Sequence, residues 1–338
     1  MTKTVKKMLS LFRPDAKPNA IKPPGRKILN TMSKGTVPCA TCGTQYDVAE
    51  RRPLSMFNCG ACGDLVFVPW HIDGIWVFEP IAAGGYGSIY HGLETESGRG
   101  LAVKVLRDYA NVDDIVRACF LKECEAAYAL GSHPNIAMTH SYGSTDDAAY
   151  MAMQYVPGER LSDIVEERST LPAQLVLGYL RDLVQGLAYM EVMGYVHRDV
   201  KPENVIVTPE GSAVLIDYGS CMTLEEAAAI DGGPIFGSPH FCPPERYEGR
   251  PEDIRSDIYA LGHIAYFCLT GKYYAKGDGI AAVKRAHTSR MRVSLSARLQ
   301  KHDGAVVDLI GSMVKWDIER RCDSYDALYK RISALLNR

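Results

Sequence analysis

A stretch of apolar residues long enough to cross a bilayer is missing from this chain. The longest candidate, Ile258–Gly271, is interrupted by His263 and is short enough to be a buried core helix. The N-terminus carries Lys3, Lys6 and Lys7 but neither a long apolar region nor a small-residue cleavage site, so it does not read as a secretory signal. A surplus of charge is missing as well. The 38 Lys and Arg stand against 40 Asp and Glu, and a net −2 gives the molecule as a whole no attraction for a polyanion. No internal repeat is visible.

What is present is a globular composition, 46% hydrophobic and 23% charged over 338 residues, enough for one large domain plus a small one. The charge is uneven. Residues 1–35 hold nine Lys or Arg and one acid, Asp15, among Pro14, Pro18, Pro23 and Pro24. They are read as a disordered basic arm. Within it, Val5–Arg13 has a short amphipathic pattern. Weak attachment to a membrane or nucleic acid is one reading of that pattern, and a solvated tail is the plainer one. Ten cysteines occur; four form two Cys-x-x-Cys pairs and six are scattered among apolar residues. In so large a chain this fits a reducing, cytoplasmic compartment better than a secreted disulfide scaffold.

The paired cysteines lie in residues 36–69. Cys39 and Cys42 in PCATCG precede Cys59 and Cys62 in NCGACG, which gives C-x2-C-x16-C-x2-C. That spacing is expected of a tetrahedral zinc site. Gly43 and Gly63 follow the second cysteine of each pair. They permit a left-handed turn, so that two thiolates converge and nearby amides reach the sulfurs. Four thiolates leave no open position for water, so Zn2+ here would be structural. Two disulfides, a redox pair or an iron centre are the alternatives. The region is too short for the βαβ frame of a redox motif. Arg51 and Arg52 between the knuckles read as a solvated loop tip rather than a nucleic-acid patch. The segment resembles, on few residues, the small zinc-ribbon modules at the N-termini of some prokaryotic regulatory proteins.

From Trp70 onward the pattern changes. The short β-like runs IWVFEPIAA, SIYHGLE, LAVKVL and AAYMAMQYV are separated by turn residues and interrupted by one helical stretch, Asp113–Leu130. After Val156 the period is mostly helical, apart from a hairpin-like passage, Asn204–Gly219, with its turn at Thr208–Gly211. A β-rich part thus precedes an α-rich part.

One string in the second part is specific. In YVHRDVKPENVIV (Tyr195–Val207), Asp199, Lys201 and Asn204 lie within six residues on a polar loop between two β-like runs, and Asp217 follows an apolar strand in LIDYG. Two acids and an amide on neighbouring loops can hold a divalent metal and accept a proton; with a phosphate clamp, that is most of what phosphoryl transfer requires. Lys104 sits on the alternating strand LAVKVL, on one face with Ala102. The helix that follows, FLKECEAA, offers Glu123 as its ion-pair partner, with Glu125 as the rival. The stretch IAAGGYGSIYHG (Ile81–Gly92) has the look of a loop that closes backbone amides over phosphates, although three closely spaced glycines are weak evidence alone.

Taken together, these strings resemble the eukaryotic-type (Hanks-type) Ser/Thr protein kinases over residues 75–335. H-R-D-x-K-x-x-N is matched from His197 to Asn204. The resemblance implies an α+β, bilobal protein-kinase fold, with a β-rich N-lobe and an α-rich C-lobe, preceded by the zinc ribbon at 36–69. It implies ATP and Mg2+ as cofactors and a protein substrate bearing Ser or Thr. By it, Asp199 accepts the substrate hydroxyl proton, and Asn204 and Asp217 hold magnesium. Lys201 would steady the γ-phosphate, while Lys104, held by Glu123, contacts the α- and β-phosphates. Gly84, Gly85 and Gly87, with Ile81 and Ile89, would form the nucleotide lid. Ala82 replaces its first glycine, which should cost flexibility rather than forbid binding.

The same resemblance makes Met151–Leu161 the interlobe hinge. Met153 would be its gatekeeper, Gln154 to Val156 would offer backbone groups to adenine, and Ala102 and Ile206 would line the base. Gly237–Glu245 would end the activation segment, Asp257 would brace the catalytic loop, and Arg321 would pair with Glu245. Tyr218 replaces the usual phenylalanine of D-F-G, with little functional change expected. Ser238 stands where the P+1 threonine usually sits.

Arg198 precedes the catalytic aspartate. In the family such an arginine often waits for an activation-loop phosphate. Here Leu224–Gly237 contains no Ser, Thr or Tyr, and Ser220 and Thr223 lie early. The expectation is that an acid, Asp231, partly satisfies Arg198 and that the kinase acts without loop phosphorylation. Two rivals stand beside this reading: a pseudokinase that binds nucleotide without turnover, and a nucleic-acid-binding regulator working through arm and ribbon. The intact Lys104, Asp199, Asn204 and Asp217 weigh against the first. The overall acidity weighs against the second.

Overall fold

A computed structural model describes residues 32–338 apart from 85–86, 146, 233–236 and 290–294. The basic arm up to residue 31, and Gly85 of the glycine-rich loop, lie outside the described residues. The described residues divide into two compact units: those up to Cys124 together with those of Thr139–Pro157, and those of Glu125–Met138 together with those of Gly158–Arg338.

The first unit opens with two short antiparallel hairpins. Strands β1 (Thr36–Pro38) and β2 (Gln45–Asp47) form one, and β3 (Met56–Asn58) and β4 (Leu65–Phe67) form the other. Each hairpin presents one Cys-x-x-Cys pair at its turn. Strand β5 (Trp70–Ile72) then joins a sheet with β6 (Ile75–Gly84), β7 (Gly87–Glu94), β8 (Gly100–Arg107), β9 (Thr139–Ser144) and β10 (Ala148–Gln154), in the order β5-β6-β7-β8-β10-β9. Helix α1 (Asp114–Ala129) follows β8. The β5–β6 connection is Asp73-Gly74, with φ of 46° and 76°. Two positive φ angles match the right-handed twist of a tight hairpin, and Asp-Gly is the pair that tolerates them. This turn makes the segment after the ribbon into an edge strand of the sheet.

Ribbon and sheet therefore share their interior. Leu54, from the loop between the knuckles, is buried in the sheet core with Ile72, Val77, Tyr90, Val103 and Val105. In the other direction, Trp76 of β6 packs on the ribbon core of Val37, Cys39, Val48, Cys59, Val66 and Val68. Two further ties reach the end of β8. The Arg107 guanidinium donates to the Leu54 carbonyl at 3.2 Å, and Arg52 pairs with Asp108.

The second unit is mainly helical: α2 (Leu161–Arg168), α3 (Ala173–Val192), α4 (Leu224–Ala228), α5 (Pro244–Tyr247), α6 (Ile254–Thr270), α7 (Ile280–Thr288), α8 (Leu295–Arg298), α9 (Gly304–Met313) and α10 (Tyr325–Leu336). Helix α6 contains most of the longest apolar run and is buried from Ile254 to Leu269, apart from Arg255. It is the central core helix that the run suggested, and it stops at Gly271 in the left-handed conformation. Helix α3 buries one stripe, including Val176, Leu180, Leu183, Val184 and Leu187, which is the spacing of an amphipathic helix. Three short strands, β11 (Glu159–Arg160), β13 (Val205–Val207) and β14 (Ala213–Leu215), form a small antiparallel sheet. A second pair joins β12 (Tyr195–Val196) to β15 (Met222–Thr223). These small sheets fix both ends of the loop that carries Asp199 and the entry to Asp217. Among the described residues no helix is long and apolar enough to cross a membrane.

Candidate active site

The four cysteine sulfurs of the knuckles lie within 4.8 Å of one another. Cys39 and Cys62 are 3.6 Å apart, and Cys42 and Cys59 are 3.5 Å apart. A disulfide needs about 2.05 Å. Tetrahedral bonds of about 2.3 Å to one zinc ion would set sulfurs roughly 3.8 Å apart. Gly43 and Gly63 have φ of 74° and 80°, the left-handed turn that the motif requires. Their amides donate to the Cys39 and Cys59 carbonyls at 2.9 and 2.8 Å, so the two knuckles repeat one turn. The Tyr46 hydroxyl lies 3.0 Å from the Cys59 sulfur and pulls that thiol down to about 6. At Cys62 the Asp64 amide favours the thiolate, but desolvation and the neighbouring thiols prevail and push it up to about 12. Four convergent sulfurs are the donor set that a soft divalent cation completes.

In the sheet, Lys104 lies opposite Ile89 on β7 and Met151 on β10. Its ammonium pairs with Glu123 of α1, and both side chains are largely buried. Glu125, the rival partner, is exposed. Ala102 is in register with Met153, and Ala82 with Ile89. Gly84 pairs with Gly87 at the tip of the β6–β7 hairpin, so these two glycines lie where a lid would turn. A Cβ on Gly87 would come within 2.9 Å of the Val105 carbonyl, so this position demands glycine. Ile81 is exposed, Gln154 is exposed and Val156 is half-buried.

The second unit gathers the loop residues. Asp199 is the centre: its Oδ2 accepts from Lys201 Nζ at 2.6 Å and from Asn204 Nδ2 at 3.2 Å, and its Oδ1 accepts from the Ser238 amide at 3.2 Å. Asn204 also donates to the Asp199 carbonyl at 3.0 Å and is tied to the next strand, since its own carbonyl accepts the Ile216 amide at 2.8 Å. That bond sets Asp217 beside the loop in sequence register. Ile206, half-buried on β13, pairs with Val214. Asp257 accepts the His197 and Arg198 amides, each at 2.8 Å, so the start of α6 holds the loop that carries Asp199. Burial raises the Asp257 carboxyl to about 6 against those two hydrogen bonds. His197 is fully buried, its imidazole is pushed down to about 4 by desolvation, and its Nδ1 accepts the Asp199 amide at 3.2 Å. It is therefore a neutral spacer. Two non-glycine residues here, Arg198 and Asp217, take positive φ of 68° and 67°. Such strain persists only where surroundings over-determine it, and it clusters at working sites.

Three details were not legible in the motifs. Tyr218 does more than keep an aromatic ring: its buried hydroxyl donates to the Ala137 and Leu215 carbonyls at 2.8 and 3.2 Å. Thr223 is occupied as the N-cap of α4, exchanging hydrogen bonds with Glu226. Arg198 does not meet Asp231, which is exposed. Its guanidinium donates to Glu252 at 2.7 and 3.2 Å instead. The physical reason is burial: Glu252 carries a fully enclosed carboxylate that must find cations, and Arg246 supplies the second. Glu245 and Arg321 do form the expected pair, bidentate at 2.7 Å and enclosed. Neither arginine of the ribbon loop is free. Arg51 lies over the Phe57 ring at 3.8 Å, and Arg52 pairs with Asp108.

The protein kinase domain family matches residues 77–331, and the chain belongs to that family. It is 32% identical over 212 residues to the serine/threonine-protein kinase PknA of Mycobacterium tuberculosis, covering 61% of this chain and 49% of the relative. It is 30% identical over 212 residues to the serine/threonine-protein kinase PrkC of Bacillus subtilis, covering 62% of this chain and 32% of the relative. The chain thus spans half or less of the length of these relatives.

Proposed function

We propose that the protein is an ATP-dependent kinase that transfers the γ-phosphate to Ser or Thr hydroxyls of protein substrates in the cytoplasm. The observation that carries this reading is the framing of Asp199. One carboxylate oxygen is held by Lys201 at 2.6 Å and the other by the Ser238 amide at 3.2 Å. A carboxylate so fixed can receive the proton of an incoming hydroxyl without first having to order itself. Lys201, already at that carboxylate, neutralises charge that builds on the transferred group. Lys104 would clamp the phosphates, oriented by Glu123, under a lid whose glycines admit close backbone approach. Asn204 and Asp217 would hold Mg2+, which would supply positive charge against the phosphate groups. In the ribbon, Cys39, Cys42, Cys59 and Cys62 would hold Zn2+ as a structural ion.

The test is transfer from radiolabelled ATP and magnesium to the protein itself and to a generic Ser/Thr substrate, followed by phosphosite mapping. Transfer to Ser and Thr, lost by at least about 10²-fold in Asp199→Ala with nucleotide binding retained, is the expected result. Nucleotide binding with no transfer in the wild type would establish the pseudokinase instead.

A further inference from the structure

We propose that Glu252 is a built-in substitute for an activation-segment phosphate: it supplies the counter-charge of Arg198 and so positions Asp199 without any modification. The inference rests on the kinase reading above and adds how that site is kept in working order.

Arg198 sits immediately before Asp199 in a left-handed conformation, φ 68°, and is 8% exposed. Its backbone is part of the catalytic loop: its amide binds Asp257 and its carbonyl accepts a hydrogen bond from Arg246 Nη1. Its side chain is therefore a lever on that loop. A buried guanidinium requires an anion, because leaving such a charge buried and unpaired is strongly unfavourable. Where an arginine waits for a phosphate, that anion is absent until a kinase adds it.

Here the anion is resident. Glu252 Oε1 accepts from Arg198 Nη2 at 2.7 Å and from Nε at 3.2 Å. The same carboxylate binds Arg246 through Nε at 3.0 and 3.1 Å and through Nη2 at 2.6 Å. Its side chain is fully enclosed. Burial alone would raise its carboxyl, yet Arg246 and Arg198 outweigh that and hold it below the ordinary glutamate value, so it is an anion. The remaining face of Arg198 is also filled, since Nη1 lies 2.8 Å from the Met222 sulfur. On the segment itself the sequence places no hydroxyl from Leu224 to Gly237, and Thr223 is committed to capping α4. Arg246 links the triad back to the loop through the Arg198 carbonyl. One carboxylate thus fixes both ends of the residue that precedes Asp199.

The experiment compares kcat and KM for ATP and for a Ser/Thr peptide in phosphatase-treated wild type, Ser220→Ala/Thr223→Ala, Glu252→Gln, Glu252→Asp, and the apolar triple variant Arg198→Met/Arg246→Met/Glu252→Leu. The triple variant removes all three buried charges of the cluster together and so keeps a folded protein available if Glu252→Gln fails to fold. The expected result is that phosphatase-treated wild type and the Ser220/Thr223 variant keep full kcat. Glu252→Gln and the triple variant lose kcat on the order of 10²-fold, because a small misplacement of a reacting group has that effect. Their KM for ATP should move less than about threefold, and Glu252→Asp should recover part of kcat. A folded Glu252→Gln with unchanged kcat overturns the inference. So does a wild type that transfers only when Ser220 or Thr223 carries phosphate. Absence of transfer from wild type in either state overturns the kinase reading itself.

Discussion

Leu54→Ala tests whether ribbon and sheet are one folding unit. Leu54 belongs to the loop between the knuckles, yet its side chain is 4% exposed within the sheet core. Its backbone already makes its contacts through main-chain atoms, the amide to the Val68 carbonyl at 2.8 Å and the carbonyl to Arg107 at 3.2 Å. Truncation therefore removes packing and leaves those bonds in place. A buried Leu→Ala change costs about 2–5 kcal/mol, made of lost transfer energy and a residual cavity. For a unit of this size each kcal/mol shifts the melting temperature by roughly 2–4 °C, so a drop of about 4–20 °C is expected. The assay is thermal melting of zinc-loaded protein in a Trp316→Phe background, so that fluorescence reports Trp70 and Trp76. Zinc release to a chromogenic chelator is followed in parallel. If the core is shared, both midpoints fall together. A zinc-release midpoint that stays put while the fluorescence transition moves would show that the ribbon folds by itself, and the reasoning fails.

Three further outcomes follow from the second unit. Arg321→Ala strands the enclosed Glu245 carboxylate and should cost about 3–5 kcal/mol in urea unfolding, while Arg321→Met/Glu245→Leu, which removes both charges, should recover much of it. Tyr218→Phe deletes the hydroxyl that reaches two buried carbonyls and should cost about 1–3 kcal/mol by the same measurement; no change would mean that water replaces it. The pH dependence carries a sign that can be checked. His197 takes up its proton at about 4 in the folded protein, against about 6.5 unfolded, so between these values the unfolded chain binds more protons and stability falls as pH drops. From pH 6.5 to 5 the loss is about 2 kcal/mol. Asp257, raised to about 6, acts in the opposite sense and offsets part of that loss: the folded chain binds its proton first, and its cost appears as pH rises from 3.8 through 6. His197→Gln should therefore lose less stability than wild type between pH 7 and 5; an equal loss would remove His197 from the account.

Much of this site was readable because its chemistry is local in sequence. Asp199, Lys201 and Asn204 fall on one loop, and a loop is fixed by its own turn and flanking strands, so order along the chain predicts neighbourhood. The strand alternation around Lys104 and the glycines after Cys42 and Cys62 are legible for the same reason. What stayed hidden depends on distant pairing. Nothing in the acidic segment Glu225–Asp231 distinguishes Asp231 from Glu252 as a partner for Arg198, because the choice is made by which carboxylate helix packing encloses. A signal was present in Arg246, a second base directly after Glu245, with an acid six residues on in a stretch that runs into the most buried helix. The edge strand β5 was also announced, by Asp73-Gly74, the strongest short hairpin signal, lying just before the first run read as a strand. The Tyr218 hydroxyl had no such signal, since its acceptors are backbone carbonyls that every residue carries.

The shared core has a physical origin in size. A segment as short as residues 36–69 buries too little apolar surface to fold unaided, and segments of this length usually need a metal, a disulfide or a partner surface. Here the cysteines offer the first and the sheet offers the last. Leu54 goes into the sheet and Trp76 comes into the ribbon, so neither surface is complete alone. Arg52 and Arg107 then join the knuckle loop to the end of β8, three residues beyond Lys104. If the four cysteines hold a metal, its loss would loosen the loop that carries Leu54, and through it the strand that carries Lys104. The paired cysteines are thus connected to the strand of Lys104 by packing.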